Sequence, residues 1–175
     1  MFRVKKSLTL ALLLALAGAF GTGALGAGSA NAEELPMERV LNRYEQVRLV
    51  LVEDATTDIS SHAAAMGQAL AELEADLTAA RAGVAKDQVE TAGELLVEIR
   101  QGVEALESAE SLDAVRDAFY AISKPLVRYR AIADGDWPAV TYCPMARKSW
   151  LQPEGEIGNP YHGQSMPRCG EIVES

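Results

Sequence analysis

The chain has 175 residues, with 16 Lys and Arg against 25 Asp and Glu, and a formal net charge of −9 at pH 7. That acidity repels polyanions, so nucleic acid and anionic membrane surfaces are excluded as expected partners. Two cysteines are too few for a disulfide framework, yet enough for one bridge or one soft-metal site.

At the N-terminus, Arg3, Lys5 and Lys6 precede the apolar run Leu8–Phe20, and a small-residue stretch then ends in Ala30-Asn31-Ala32. A basic segment, an apolar segment and an A-x-A site in that order predict a secretory signal peptide over residues 1–32. The apolar run falls short of the ~20 residues of a membrane span. No cysteine lies near the cleavage point to carry a lipid. The expected product, residues 33–175, is periplasmic or secreted, has no membrane anchor, and carries 13 basic against 25 acidic residues, a net −12. Its length suits one domain.

Residues 33–133 hold only two prolines, Pro36 and Pro125, and no aromatic residue lies between Tyr44 and Phe119. Four apolar stripes step by three and four, the spacing of one helix face. They are Val40–Tyr44–Val47–Leu51; Ile59–Ala63–Met66–Leu70–Leu73–Leu77; Val89–Ala92–Leu96–Ile99–Val103–Leu106; and Leu112–Val115–Phe119–Ile122–Leu126–Tyr129. Asp54–Asp58 separates the first two helices, Gly83 is expected to end the second, and Asp87 and Ser111 to cap the third and fourth. Pro125 should kink the last helix. Short connections between four such helices predict an all-α fold, an antiparallel four-helix bundle.

This helical part holds no catalytic constellation. It lacks the Glu-x-x-His pairs of di-iron bundles and the Cys-x-x-Cys-His of covalent haem. His62, one turn before Met66, reads as boundary packing. No Ser–His–Asp set or phosphate loop stands out, so an enzyme is not expected.

Residues 134–175 differ sharply. They contain five prolines, both tryptophans and both cysteines. This stretch is expected to be a turn-rich module, packed on the bundle through Trp137, Tyr142, Trp150 and Tyr161 as one folded unit. Cys143, Met145, His162, Met166 and Cys169 supply soft or borderline donors. In an extended strand the i,i+2 spacing of Cys143 and Met145 points both sulfurs to one side; a tight turn does the same for Met166 and Cys169. Thiolate and thioether favour copper(I) over hard cations, and zinc, which prefers cysteine and histidine, comes second. A Cys143–Cys169 disulfide with the methionines as packing is the other reading, and spacing does not choose between them.

Cys143-Pro-Met-Ala146, Trp150-Leu-Gln152, Glu156-Ile157, Asn159-Pro-Tyr161 with Gly163, and Met166 with Cys169-Gly170 resemble the signature of a bacterial helical domain of unknown function. That domain occurs in exported proteins and on adaptor subunits of copper and heavy-metal efflux systems. Arg116-Asp-Ala-Phe119 and Ser123 are similar to its last helix. His162 departs from the family, which more often has an aromatic there. The resemblance implies soft-metal binding by Cys143, Met145, Met166 and Cys169, with copper(I) the expected ion and His162 an additional donor. The expected function is copper buffering, sensing or delivery to an efflux adaptor or another envelope protein. The alternative is a metal-free envelope interaction module stapled by a Cys143–Cys169 disulfide.

Overall fold

The computed structural model describes residues 34–174, so the signal peptide expected over residues 1–32 lies outside the described residues. The chain runs through α1 (Pro36–Val52), α2 (Ile59–Ala75), a short α3 (Ala79–Ala82), a 3-10 turn (Lys86–Gln88), α4 (Val89–Glu107) and α5 (Leu112–Arg130). It continues as β1 (Ala139–Cys143), β2 (Lys148–Gln152), a second 3-10 turn (Gly163–Ser165) and β3 (Glu171–Glu174).

Each apolar stripe becomes a buried face. Val40, Val47 and Leu51 of α1, Ala63, Met66 and Leu70 of α2, Leu96 and Ile99 of α4, and Phe119, Ile122 and Leu126 of α5 share one core. Helices α1, α2, α4 and α5 pack in sequence order, and α5 returns to touch α1. Ser111 caps α5 by accepting the Ala114 N–H at 3.2 Å. Asp87 sits inside the 3-10 turn and makes no cap bond to α4. Gly83 ends α3, not α2, because a separate helical turn intervenes between them. Helix α5 continues through Pro125. None of the described helices is long and apolar enough to cross a membrane.

The all-α expectation is wrong. The C-terminal region contains a three-stranded antiparallel sheet in the order β2–β1–β3. The physical reason lies in Ala-Val-Thr-Tyr-Cys, with two β-branched residues and an aromatic, which pairs with Lys-Ser-Trp-Leu-Gln, whose Trp150 and Leu151 are buried. A four-residue turn, 144–147, folds them into a hairpin that pairs Thr141 with Trp150 and Cys143 with Lys148. Strand β3 then pairs Thr141 with Ile172 and Tyr142 with Glu171.

The sheet docks on α5 mainly through β2. Tyr44 of α1 and Ser123 of α5 share a buried hydrogen bond of 2.7 Å, and the Tyr44 hydroxyl also accepts the Leu151 N–H at 3.2 Å. Tyr161 donates to the Ser149 carbonyl at 2.8 Å. Burial pushes the hydroxyls of Tyr44 and Tyr161 well above the usual tyrosine range, so both stay neutral donors. Tyr44 stacks on Phe119 with centroids 4.5 Å apart, and Trp150 meets Tyr161 edge-on at 5.8 Å. These aromatics fill the seam between helices and sheet.

Candidate functional site

Cys143 is the last residue of β1, the central strand, and is fully buried. The chain turns immediately after it. Arg147 returns its N–H to the Cys143 carbonyl at 2.8 Å, with a left-handed φ of 54° that reverses the chain into β2. The turn aims backbone amides at the sulfur: the Ala146 N–H reaches Cys143 Sγ at 3.4 Å, and the Met145 amide faces both cysteine sulfurs.

The opposite wall comes from the loop between β2 and β3. Asn159 is wholly buried and satisfies its side chain in four directions. Its amide nitrogen donates to the Cys169 carbonyl at 2.6 Å and also faces the Cys143 sulfur. Its oxygen accepts the Tyr161 and His162 N–H groups at 2.8 and 3.1 Å. The Asn159 N–H binds the Pro167 carbonyl at 2.8 Å, and the Cys169 N–H closes a turn onto the Met166 carbonyl at 3.1 Å. These bonds fold 159–169 back on itself and present Cys169 to β1.

Helices anchor the loop from below. Arg48 donates to the Gly158 carbonyl at 2.8 Å and Arg116 to the Pro160 carbonyl at 3.1 Å. Arg116 also pairs with Asp54, which accepts the Gln164 N–H at 3.1 Å. Gly163, at φ 47°, fits this knot because a Cβ there would overlap the Asp54 carboxylate. Gly170, at φ 151°, lies so close under Trp150 that a Cβ would come within 2.8 Å of the indole.

The result is one sulfur pair. Cys143 Sγ and Cys169 Sγ stand 2.6 Å apart across 26 sequence positions, both as free cysteines. Their acidities diverge. Burial pushes the Cys143 thiol up, but hydrogen bonds from Cys169, the Ala146 and Met145 amides and Asn159 outweigh it, leaving Cys143 more acidic than an ordinary thiol. The Cys169 thiol is pushed up, first by donating to Cys143, then by burial and by the neighbouring charge. Two interacting thiols titrate as a pair, which lowers one step and raises the other.

The other candidate donors are arranged differently. Met145 lies in the turn, not in an extended strand, and its side chain is 68% exposed. It stands beside the pair through its amide. Met166 is half-buried at the start of the turn that ends in Cys169. His162 is half-buried, and its Nε2 is shielded from solvent without a hydrogen-bond partner. Among the described residues, no group of three or more His, Cys, Asp or Glu gathers in a metal-ligating cluster. The structure therefore brings Cys143 and Cys169 together and leaves His162 outside their group.

The donor chemistry suits a soft ion. Two thiolates are strong copper(I) ligands, and Met145 and Met166 flank them in sequence, two residues after Cys143 and three before Cys169. The pair as it stands is closed. Two sulfurs bonded tetrahedrally to one metal at ~2.3 Å would lie about 3.8 Å apart. Opening falls to Cys169, which is half-exposed on a loop, because Cys143 is locked by its strand and its amides.

Sequence reasoning placed Asn159 in a motif but not at the site, and it missed the turn amides. Asn-Pro beside a tight turn was the available signal for the first; the second follows only from the turn at 144–147. Compared with family models, curated proteins and solved structures, the chain matches none.

Proposed function

We propose that this chain is an exported protein whose reduced form binds one copper(I) ion through Cys143 and Cys169, with Met145 and Met166 as thioether donors. Its role is to buffer or sense the ion, or to pass it to an efflux adaptor or another envelope protein. The supporting observation is the convergence of two distant cysteines beneath amides that favour a thiolate on Cys143. An exposed Met145 beside a buried thiolate suits hand-off, since a partner can compete for the outer donor first.

Native mass spectrometry of the reduced protein loaded anaerobically with copper(I) tests this reading. One ion per chain is expected, lost on Cys143→Ser or Cys169→Ser and weakened by Met145→Leu. Retention of the ion by the double cysteine variant contradicts it.

The 2.6 Å contact favours a second reading, in which the pair closes as a disulfide and the protein is a stapled interaction module. Such a bridge would contribute about 3 kcal/mol in the chain-entropy model. Thiol counting on freshly purified protein separates the readings: two free thiols are expected under the first, none under the second.

A further inference from the structure

The two sulfurs differ in what surrounds them. Cys143 is fully buried at the end of the central strand, and its sulfur accepts an amide N–H from the following turn at 3.4 Å. Cys169 is half-exposed, and Asn159 holds its carbonyl, leaving its sulfur facing Cys143 on one side. Displacement at sulfur depends on which atom a thiolate can reach and on how well the departing sulfur carries charge. With Cys143 on the inner side, a nucleophile from solvent meets Cys169 first. The departing Cys143 sulfur then leaves into backbone N–H groups that stabilise an anion.

We propose that Cys169 is a modification site for small-molecule thiols, reached by opening a Cys143–Cys169 disulfide that a small-molecule disulfide forms first, taking up the two electrons and two protons of the Cys143 and Cys169 thiols and leaving as two small thiols. The thiolate sulfur of the incoming molecule bonds to Cys169 Sγ, the Cys143–Cys169 bond breaks, and its electron pair stays on Cys143. The product is a mixed disulfide on Cys169 and a thiolate on Cys143. The reverse step, attack of Cys143 on the adduct, expels the small thiol and re-forms the bridge. For the copper(I) site this is regulation, and that consequence rests on the function proposed above: the bridge withholds both thiolate donors, and the adduct withholds one.

The test uses copper-free protein oxidised with glutathione disulfide, then treated briefly with limiting reduced glutathione and quenched with iodoacetamide. Peptide mass mapping is expected to find glutathione on Cys169 and the alkyl group on Cys143, in excess over the reverse by roughly tenfold, the factor one hydrogen bond to a charged group supplies. Glutathione on Cys143, an even split, or no disulfide after oxidation each overturns the proposal. The single variants give a second measurement. Cys169 in Cys143→Ser should take up glutathione from glutathione disulfide faster than Cys143 in Cys169→Ser, because Cys143 is fully buried and Cys169 is half-exposed; equal rates in two variants of equal helical circular dichroism overturn it. No copper is present in either experiment, so the outcome stands apart from that of copper(I) binding.

Discussion

The side-chain amide of Asn159 donates to the carbonyl of Cys169 at 2.6 Å, and through that bond the β2–β3 loop carries one cysteine to the other. Asn159 is fully buried, so Asn159→Ala removes four interactions and leaves the Tyr161 and His162 amides unpaired. The expected cost is about 2–3 kcal/mol, the penalty of unmet buried polar groups. Urea unfolding measures it. The variant should also slow formation of the Cys143–Cys169 bridge, and an unchanged oxidation rate would show that the loop holds its shape without this residue.

Tyr44 links α1, α5 and the sheet through one hydroxyl. Tyr44→Phe keeps the stacking on Phe119 and strands the Leu151 N–H, while Ser123 keeps its bonds to the Phe119 carbonyl and the Tyr161 hydroxyl. A loss of roughly 1–2 kcal/mol is expected from that unpaired group. Thermal unfolding followed by both helical ellipticity and tryptophan emission should show one transition shifted down. Two separate transitions would mean that Tyr44 alone couples the sheet to the bundle.

The helices were legible because α1, α2, α4 and α5 each bury one face, and residues such as Val40, Tyr44, Val47 and Leu51 repeat at helical spacing. The sheet was not. Strand β1 is buried along nearly its whole length, so Ala139–Cys143 shows no in–out alternation to mark it as a strand. Five prolines around it read as loop. The short α3 was hidden because Gly83 stops a helix wherever that helix began. At the site, pairing of the cysteines was visible as one of two readings. The placement of Met145 was not, because it depends on a left-handed Arg147 that nothing local announces.

The divergent thiol acidities give a pH signature in the reduced protein. Cys143 is lowered from the ordinary thiol value of 9.0, so its contribution to stability is present above the unfolded value and lost as pH falls through the folded one. Cys169 is raised from 9.0, so its contribution is present below the unfolded value and lost as pH climbs through the folded one. Stability contributed by the pair should therefore peak between the two steps, around the ordinary thiol value. Ultraviolet thiolate absorbance should show one proton leaving below that value and one above. A single step for both would show that the two thiols titrate independently.

Gly163 sits in the knot made by Asp54, Arg116 and Gln164. Gly163→Ala places a methyl group on the Asp54 carboxylate and forces a left-handed backbone on alanine. A loss of about 1–3 kcal/mol is expected, the range for strained backbone positions, with a lower melting temperature as the measured effect. An unchanged melting temperature would mean that the loop relaxes freely around Asp54.

Copper(I) binding by the sulfur pair is tested most directly by competition with a chromophoric copper(I) chelator, under reducing and anaerobic conditions. The reduced wild-type protein should withdraw one equivalent of copper(I), Met145→Leu and Met166→Leu should withdraw it less tightly, and the Cys143→Ser/Cys169→Ser variant should leave the chelator complex intact. Equal competition by wild type and the double cysteine variant would contradict the account.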